Sequence, residues 1–411
     1  MTSKVEFEAA SAVARTRIPP LDALRFVSIL GIVYWHAALP YGSEFEWFGF
    51  TGKSSSVMDF LIWIIVGFNI QICFFVAGVL SARTLAARGL HEALKRRLKR
   101  LVPPLCATAI LFNLFVATVV TAAQYHGNEP FAFLLRFFVE KFSLYHLWFI
   151  YYLALVSVVS LIAAWVAASY LSQRLRDRLK GVVSAVFGNP FGLIALAVPT
   201  ALITFQINGV GNALLRDPSL VTSPIHTLIV NPWIFAYFGL FFWIGWTTDI
   251  QLKAFARRWP WLLLAGVALR AATVVLLASQ NRSPLYCIAV DLVTATYTWS
   301  MLLGFLGLFA RYCTKDTPTL RYAADAGYWV YLLHMFPLLA IQLVLYRLSL
   351  PVALSYLVLV ATTTLVTFGF YEFVIRYSAL GRWLDGERTR PLSGISAMFM
   401  RRAVPRAAQR P

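Results

Sequence analysis

LDALRFVSILGIVYWHAALP, residues Leu21–Pro40, decides how this chain is read. The stretch is apolar and long enough to cross a bilayer as a helix. It nevertheless carries Arg25 near one end and His36 near the other. Eleven residues of helix correspond to roughly 16 Å of rise and about three turns, so the two side chains leave on nearly the same face. Ionisable groups inside a span are costly unless they are paired or face a polar cavity, so both positions are candidates for function. From spacing alone Arg25 is either a snorkelling end-of-helix cation or a phosphate clamp, and His36 is either a packed interfacial histidine or a general base.

The rest of the chain has the same character. Of 411 residues 59% are hydrophobic and 13% charged, with a mean hydropathy of +0.69. That composition excludes an ordinary water-soluble globular class and predicts an all-α polytopic membrane protein. Ten segments are long enough to span, at about 21–40, 58–80, 105–125, 146–168, 185–207, 231–247, 260–278, 286–310, 326–345 and 353–376. They must be helices, because lipid offers no partner to open backbone groups and the segments are too long for barrel strands. Between them, FAFLLRFFVEKF within 126–145 resembles an amphipathic interfacial helix.

Charge placement orients the helices. With both termini cytoplasmic, 28 of the 36 Lys and Arg residues fall on the inner side and 6 on the outer, a strong positive-inside pattern. The formal charge of +18 therefore reflects topology and contact with anionic lipid; no cationic domain stands apart to bind nucleic acid. The chain is expected to divide into a cytoplasmic segment 1–20, a membrane domain 21–376 and a basic cytoplasmic tail 377–411. Residues 1–20 lack the apolar core of a signal peptide, so the first span is expected to be retained. The outer segment 207–230 carries turn signals and is a candidate border for an acceptor site. Cys73, Cys106, Cys287 and Cys313 have no metal-ligand spacing, and no metal site is expected.

Other polar residues punctuate the spans. His146, opening HLWFIYY, is expected at the depth of His36. His334, in YLLHMFP, would sit only about 12 Å inside a span starting at 326, too shallow to meet His36. Glu372 shares the depth of Arg25 and is a candidate ion-pair partner for it. Asn69, Gln71, Arg270, Asp59 and Asp291 read either as interhelical glue or as parts of a site. HEALKRRLKR, residues 91–100, is a topology signal that can also attract a polyphosphorylated ligand.

These fragments, in this order, resemble the membrane-bound acyltransferase 3 family, with a closer likeness to its glucan-modifying C-type branch. LDALRFVSILGIVYWHA is similar to the family's first-span Arg-x(10)-His signature, with Arg25 and His36 at its two positions. FFVAGVLSAR at 74–83, RRLKRLVP at 96–103, HLWFIYY at 146–152, YWVYLLH at 328–334 and YEFVIRYSALGRW at 371–383 continue the likeness from about residue 20 to 385. Ala77 stands where many relatives have Ser, and HLWFIYYLA lacks the Glu-rich pattern of the O-antigen-modifying branch.

The resemblance implies an inner-membrane O-acyltransferase without a tightly bound cofactor. It implies that cytosolic acyl-CoA, as succinyl-CoA or acetyl-CoA, acylates a hydroxyl of a periplasmic glucan or another exported polysaccharide. His36 is then the catalytic histidine; beside it His146 is expected either to position the acceptor or to stabilise an oxyanion. Arg25, Arg83, Arg96, Arg97 and Arg100 are the cations expected around the donor's phosphates; Asn69, Arg270, Asp291, His334 and Glu372 are expected as substrate-facing or structural polar groups. A homo-oligomer is compatible with this reading. The competing class is a transporter or flippase for an anionic sugar or lipid-linked glycan, using Arg25, Arg270 and Glu372 as ligands along a translocation path.

Overall fold

Pro19 and Pro20 start the first helix, where a missing N–H costs nothing because the first turn has no intrahelical acceptor for it. The computed structural model of the chain describes residues 17–43, 53–124, 127–189, 191–208, 228–248, 252–279, 281 and 283–385. The expected segments 1–20 and 207–230 and the tail 377–411 lie largely outside these. All regular structure among the described residues is helical.

In chain order the helices are α1 (Pro19–Ala38), α2 (Ser56–Val66), α3 (Asn69–Gln124), α4 (Pro130–Glu140), α5 (Trp148–Tyr170), α6 (Gln173–Gly188) and α7 (Gly192–Asn208). They continue as α8 (Pro232–Thr247), α9 (Leu252–Leu277), α10 (Pro284–Tyr312), α11 (Pro318–Leu333), α12 (Met335–Leu348), α13 (Val352–Phe370) and α14 (Ala379–Asp385). The chain forms two units, one running to Thr367 and one from Phe368 onward. In the second, a π-helical turn at Tyr371–Ile375 leads to α14, which occupies the start of the expected tail.

Six helical stretches among the described residues are long and apolar enough to cross a bilayer, or up to eight if each of two bent pairs is one span. Among the described residues the ten segments expected from the sequence are mostly helical, but they are divided differently. One stretch from Ser56 to Ala122 takes in 58–80 and most of 105–125. The segment at 231–247 becomes α8, only 16 residues long. The interfacial helix expected within 126–145 is α4, whose Phe131, Leu135 and Val139 are exposed.

At 56 residues α3 would be about 84 Å long if straight, far more than a bilayer is thick. It reverses at Gly89, whose φ of 75° is open to glycine and strained for other residues. The reversal brings Arg97 back onto the preceding arm, where its guanidinium donates to the carbonyl of Ala77 at 2.9 Å and to Ser81 Oγ. Twenty residues of continuous helix would hold Arg97 and Ala77 about 30 Å apart. The basic segment of the sequence is thus the returning limb of a helical hairpin.

A second break, at Gly67 and Phe68 between α2 and α3, exposes the last carbonyls of α2 within a membrane-length stretch. The protein satisfies them from other helices. Arg270 on α9 donates to the Trp63 carbonyl, while Tyr297 and Thr298 on α10 donate to those of Ile64 and Gly67 at 2.7 and 2.8 Å. Irregular backbone at membrane depth survives only with such protein partners.

The first arm of α3 and α8 meet without intervening side chains. A Cβ on Gly78 would collide with the Phe242 carbonyl, and one on Gly245 with the Phe75 carbonyl. The pairing of 75 with 245 and 78 with 242 makes the crossing antiparallel. Substituting Gly78→Leu or Gly245→Leu forces the backbones apart and is expected to cost about 1–3 kcal/mol or more. The measurement is the melting temperature and monodispersity of the purified protein in detergent. Gly239→Ala, on the same helix with open space at its Cβ, should match the wild type.

Candidate active site

Three buried histidines meet although they lie in different parts of the sequence. His36 is 7% exposed, His146 5% and His334 0%. His334 Nε2 lies 3.1 Å from His36 Nδ1. Ring centroids are 5.0 Å apart for His36 and His334, 5.1 Å for His146 and His334, and 6.4 Å for His36 and His146.

The contact between His36 and His334 corrects the depth expected from the sequence. α11 begins at Pro318 rather than near 326, with the Thr317 hydroxyl capping its first turn. Sixteen residues of rise put His334 about 24 Å from the start of its helix, and seventeen put His36 about 26 Å from the start of α1. The two helices run in the same direction side by side. Arg25 donates to the Ala324 carbonyl at 2.9 Å at one level, and eleven and ten residues further on His36 meets His334.

The second arm of α3 joins the same register. Near the arginine level, Tyr328 O–H donates to the Arg100 carbonyl at 2.6 Å, and the Arg100 guanidinium lies 5.6 Å from the Tyr328 ring centroid. Near the histidine level, the Phe112 ring lies 5.1 Å from both the His146 and the Phe336 ring centroids. Three parallel helices therefore each run from a cationic end to a histidine end.

A proline shapes the histidine end. Pro337 lacks an N–H and its ring opposes the carbonyl four residues earlier, so α11 and α12 bend by 59° at His334. Two carbonyls of the loosened turn bind imidazoles: Tyr331 O lies 2.7 Å from His334 Nδ1, and Leu332 O lies 3.3 Å from His146 Nε2. The Tyr331 hydroxyl in turn donates to the His146 carbonyl. His146 sits in a single 3₁₀ turn, Tyr145–Leu147, ahead of α5, entered through Tyr145 at a φ of 43°. His146 Nδ1 is buried with no hydrogen-bond partner among the described residues.

Asn113, which the sequence reading passed over, holds that turn. Its amide donates to the Ser143 carbonyl at 2.8 Å and accepts from the Ser143 N–H at 2.9 Å, pairing with the backbone as a neighbouring strand would. The available signal was an amide within an otherwise apolar run.

At the cationic end Arg25, Arg97 and Arg100 lie within electrostatic reach of one another. Arg25 also pairs with Asp22 at 3.6 Å, and Asp22 with Arg17 at 3.7 Å. Arg83 is half-buried on the first arm of α3, two residues beyond Ser81. Arg96, expected with this group, is exposed and pairs with Glu92 at 3.7 Å on its own helix.

The remaining candidates are dispersed. Asn69 packs against α1 between the two levels, where a Cβ on Gly31 would meet its Nδ2 at 2.5 Å. Arg270 stacks on Trp63 and Tyr297, 4.8 and 5.2 Å from their ring centroids, and serves the break after α2. Asp291, 1% exposed, lies on α10. Glu372, expected opposite Arg25, pairs with Arg376 one turn along at 2.7 Å. No cluster of metal-ligating side chains occurs among the described residues.

Asn113→Leu removes both bonds to Ser143 and leaves a backbone N–H and C=O unsatisfied in a buried site, a loss of about 1–3 kcal/mol for each group. The histidine turn should loosen. Limited proteolysis between α4 and α5 is expected to accelerate, while the protein still elutes as a folded species.

No curated protein and no solved structure matches this chain. The family model described as an acyltransferase domain, acyltransferase 3, matches residues 18–372. The match runs from the residue that caps α1 to the π-helical turn, and so includes all three histidines and the arginine cluster. The chain belongs to the acyltransferase 3 family of membrane acyltransferases.

Proposed function

We propose that this protein transfers an acyl group from cytosolic acyl-CoA to a hydroxyl of an exported carbohydrate across the inner membrane. The observation that carries the proposal is the register of three parallel helices, with Arg25, Arg97 and Arg100 at one level and His36, His146 and His334 at the other. The levels on α1 are separated by roughly 16 Å, a span comparable to a pantetheine arm. A donor whose phosphates are held by the guanidinium groups thereby presents its thioester carbonyl beside His36, and positioning of this kind lowers the entropic barrier to reaction.

In the reaction proposed, His36 removes the proton from the acceptor hydroxyl as its oxygen attacks the thioester carbon. The tetrahedral intermediate collapses with cleavage of the C–S bond. The departing CoA thiolate takes the proton back from the imidazolium, so the histidine is regenerated and an ester and CoA–SH are released. His146 complements this from the acceptor side. A carbonyl can only accept, so its Nε2 carries the proton facing Leu332 and its Nδ1 keeps a lone pair. That lone pair suits an incoming hydroxyl, whereas an oxyanion would require a donor.

The likeness to the glucan-modifying C-type branch favours a periplasmic glucan as acceptor and a succinyl donor, with acetyl as the alternative. A transporter would be the competing class, and the broken helix between α2 and α3 is the feature that would suit it. Three carbonyls at that break are already bound by Arg270, Tyr297 and Thr298, which argues for a structural joint.

Purified protein incubated with radiolabelled succinyl-CoA or acetyl-CoA and a periplasmic glucan fraction should yield labelled glucan. His36→Ala is expected to abolish transfer, by about 10²-fold or more. Arg97→Gln should mainly raise the KM for acyl-CoA, and Arg25→Gln should raise it and also lower kcat, because it loses the bond to Ala324 that aligns α1 with α11; each phosphate contact is worth roughly 1.5–3 kcal/mol. Full transfer by folded His36→Ala protein would remove His36 as the base.

A further inference from the structure

We infer that His334 is a positioning residue that fixes which nitrogen of His36 carries the proton, taking the place that a carboxylate holds in a hydrolase triad. The inference rests on the reading of His36 as the general base and specifies how that base is prepared.

Tyr331 O can only accept, and it lies 2.7 Å from His334 Nδ1, so that nitrogen bears hydrogen. In the neutral ring Nε2 is then a lone pair. It faces His36 Nδ1 at 3.1 Å, and the bond is made only if His36 Nδ1 is the protonated nitrogen. The Ile32 carbonyl, 2.9 Å from the same atom, imposes the same requirement. Both acceptors therefore assign the hydrogen of neutral His36 to Nδ1 and leave the basic lone pair on Nε2.

The two acceptors are not equivalent. Ile32 lies one turn back on the same helix, so it turns with α1. His334 comes from α11, 298 positions away in sequence, and ties the ring to a different helix. It is also the group positioned to share the charge when His36 becomes an imidazolium, since that Nδ1–H then points at a lone pair.

The choice of imidazole over carboxylate follows from the surroundings. His334 has no exposed surface and lies in a membrane-length bent pair of helices. A carboxylate there would bring a full charge into a low-dielectric interior, whereas an imidazole supplies the same acceptor while neutral. The bend at His334 also supplies the Leu332 carbonyl to His146, so one interruption of the helix aligns both catalytic candidates.

The test uses the full-length protein in lipid nanodiscs and three substitutions. His334→Leu removes the acceptor; His334→Gln places an amide oxygen where Nε2 was. Leu is expected to lower kcat by about 10²-fold with the acyl-CoA KM changed less than about threefold. Gln should restore at least about a tenth of the lost rate, which a purely packing role would not produce. Nitrogen-15 NMR of histidine-labelled resting protein, assigned through His36→Ala, should show His36 protonated at Nδ1 in the wild type and a larger Nε2-protonated fraction in His334→Leu, where the Ile32 carbonyl alone of the two acceptors remains. Wild-type His36 protonated at Nε2 overturns the inference even if the Leu variant fails to fold. Near-normal kcat in His334→Leu, with His36→Ala inactive, also overturns it while leaving His36 as the base. An active His36→Ala protein overturns instead the underlying reading of His36 as the general base.

Discussion

The hydrogen bond from Arg25 to the Ala324 carbonyl sets the register on which the rest of the site depends. Two parallel helices joined at one level keep residues at equal counts from it at nearly equal height, and they can meet there where the helices stay packed. Here the counts are eleven and ten, so His36 and His334 arrive together with a mismatch of about one residue's rise. The second arm of α3 is fixed to α11 by Tyr328 and so inherits the same alignment. Arginine cations and imidazoles are thus segregated to opposite ends of one helical group.

The sequence made part of this legible. Hydropathy locates most of the helical segments but not how they divide into spans, and the spacing of Arg25 and His36 puts both on a common helix face. The depth of His334 was misjudged because apolar content marks where a helix enters lipid, not where it starts. RYAADAG, residues 321–327, looks like a polar approach yet is already two turns of α11. Arg96 and Arg97 are indistinguishable in a basic run. Only the reversal at Gly89 turns Arg97 inward and leaves Arg96 at the surface. Asn113 was missed because a lone amide in a span is more often interhelical glue, and its role depends on a backbone segment thirty residues away.

Backbone carbonyls perform much of the polar work at both ends of the site. Ala77 and Ala324 hold arginines; Ile32, Tyr331 and Leu332 hold imidazoles. A carbonyl carries no net charge, cannot titrate and is held by the helix itself, so it orients a side chain without a buried counter-ion. Near His334 those carbonyls belong to the last turn of α11, where the helix bends by 59° into α12.

The joint after α2 has a consequence for biogenesis. The carbonyls of Trp63, Ile64 and Gly67 are bound by residues that the ribosome adds roughly two hundred positions later. Until α9 and α10 have been synthesised, those groups lack their native donors. Until then those carbonyls need other partners, such as water, the insertion machinery or the amides of an unbroken helix, and the native joint can form only once the later helices have emerged.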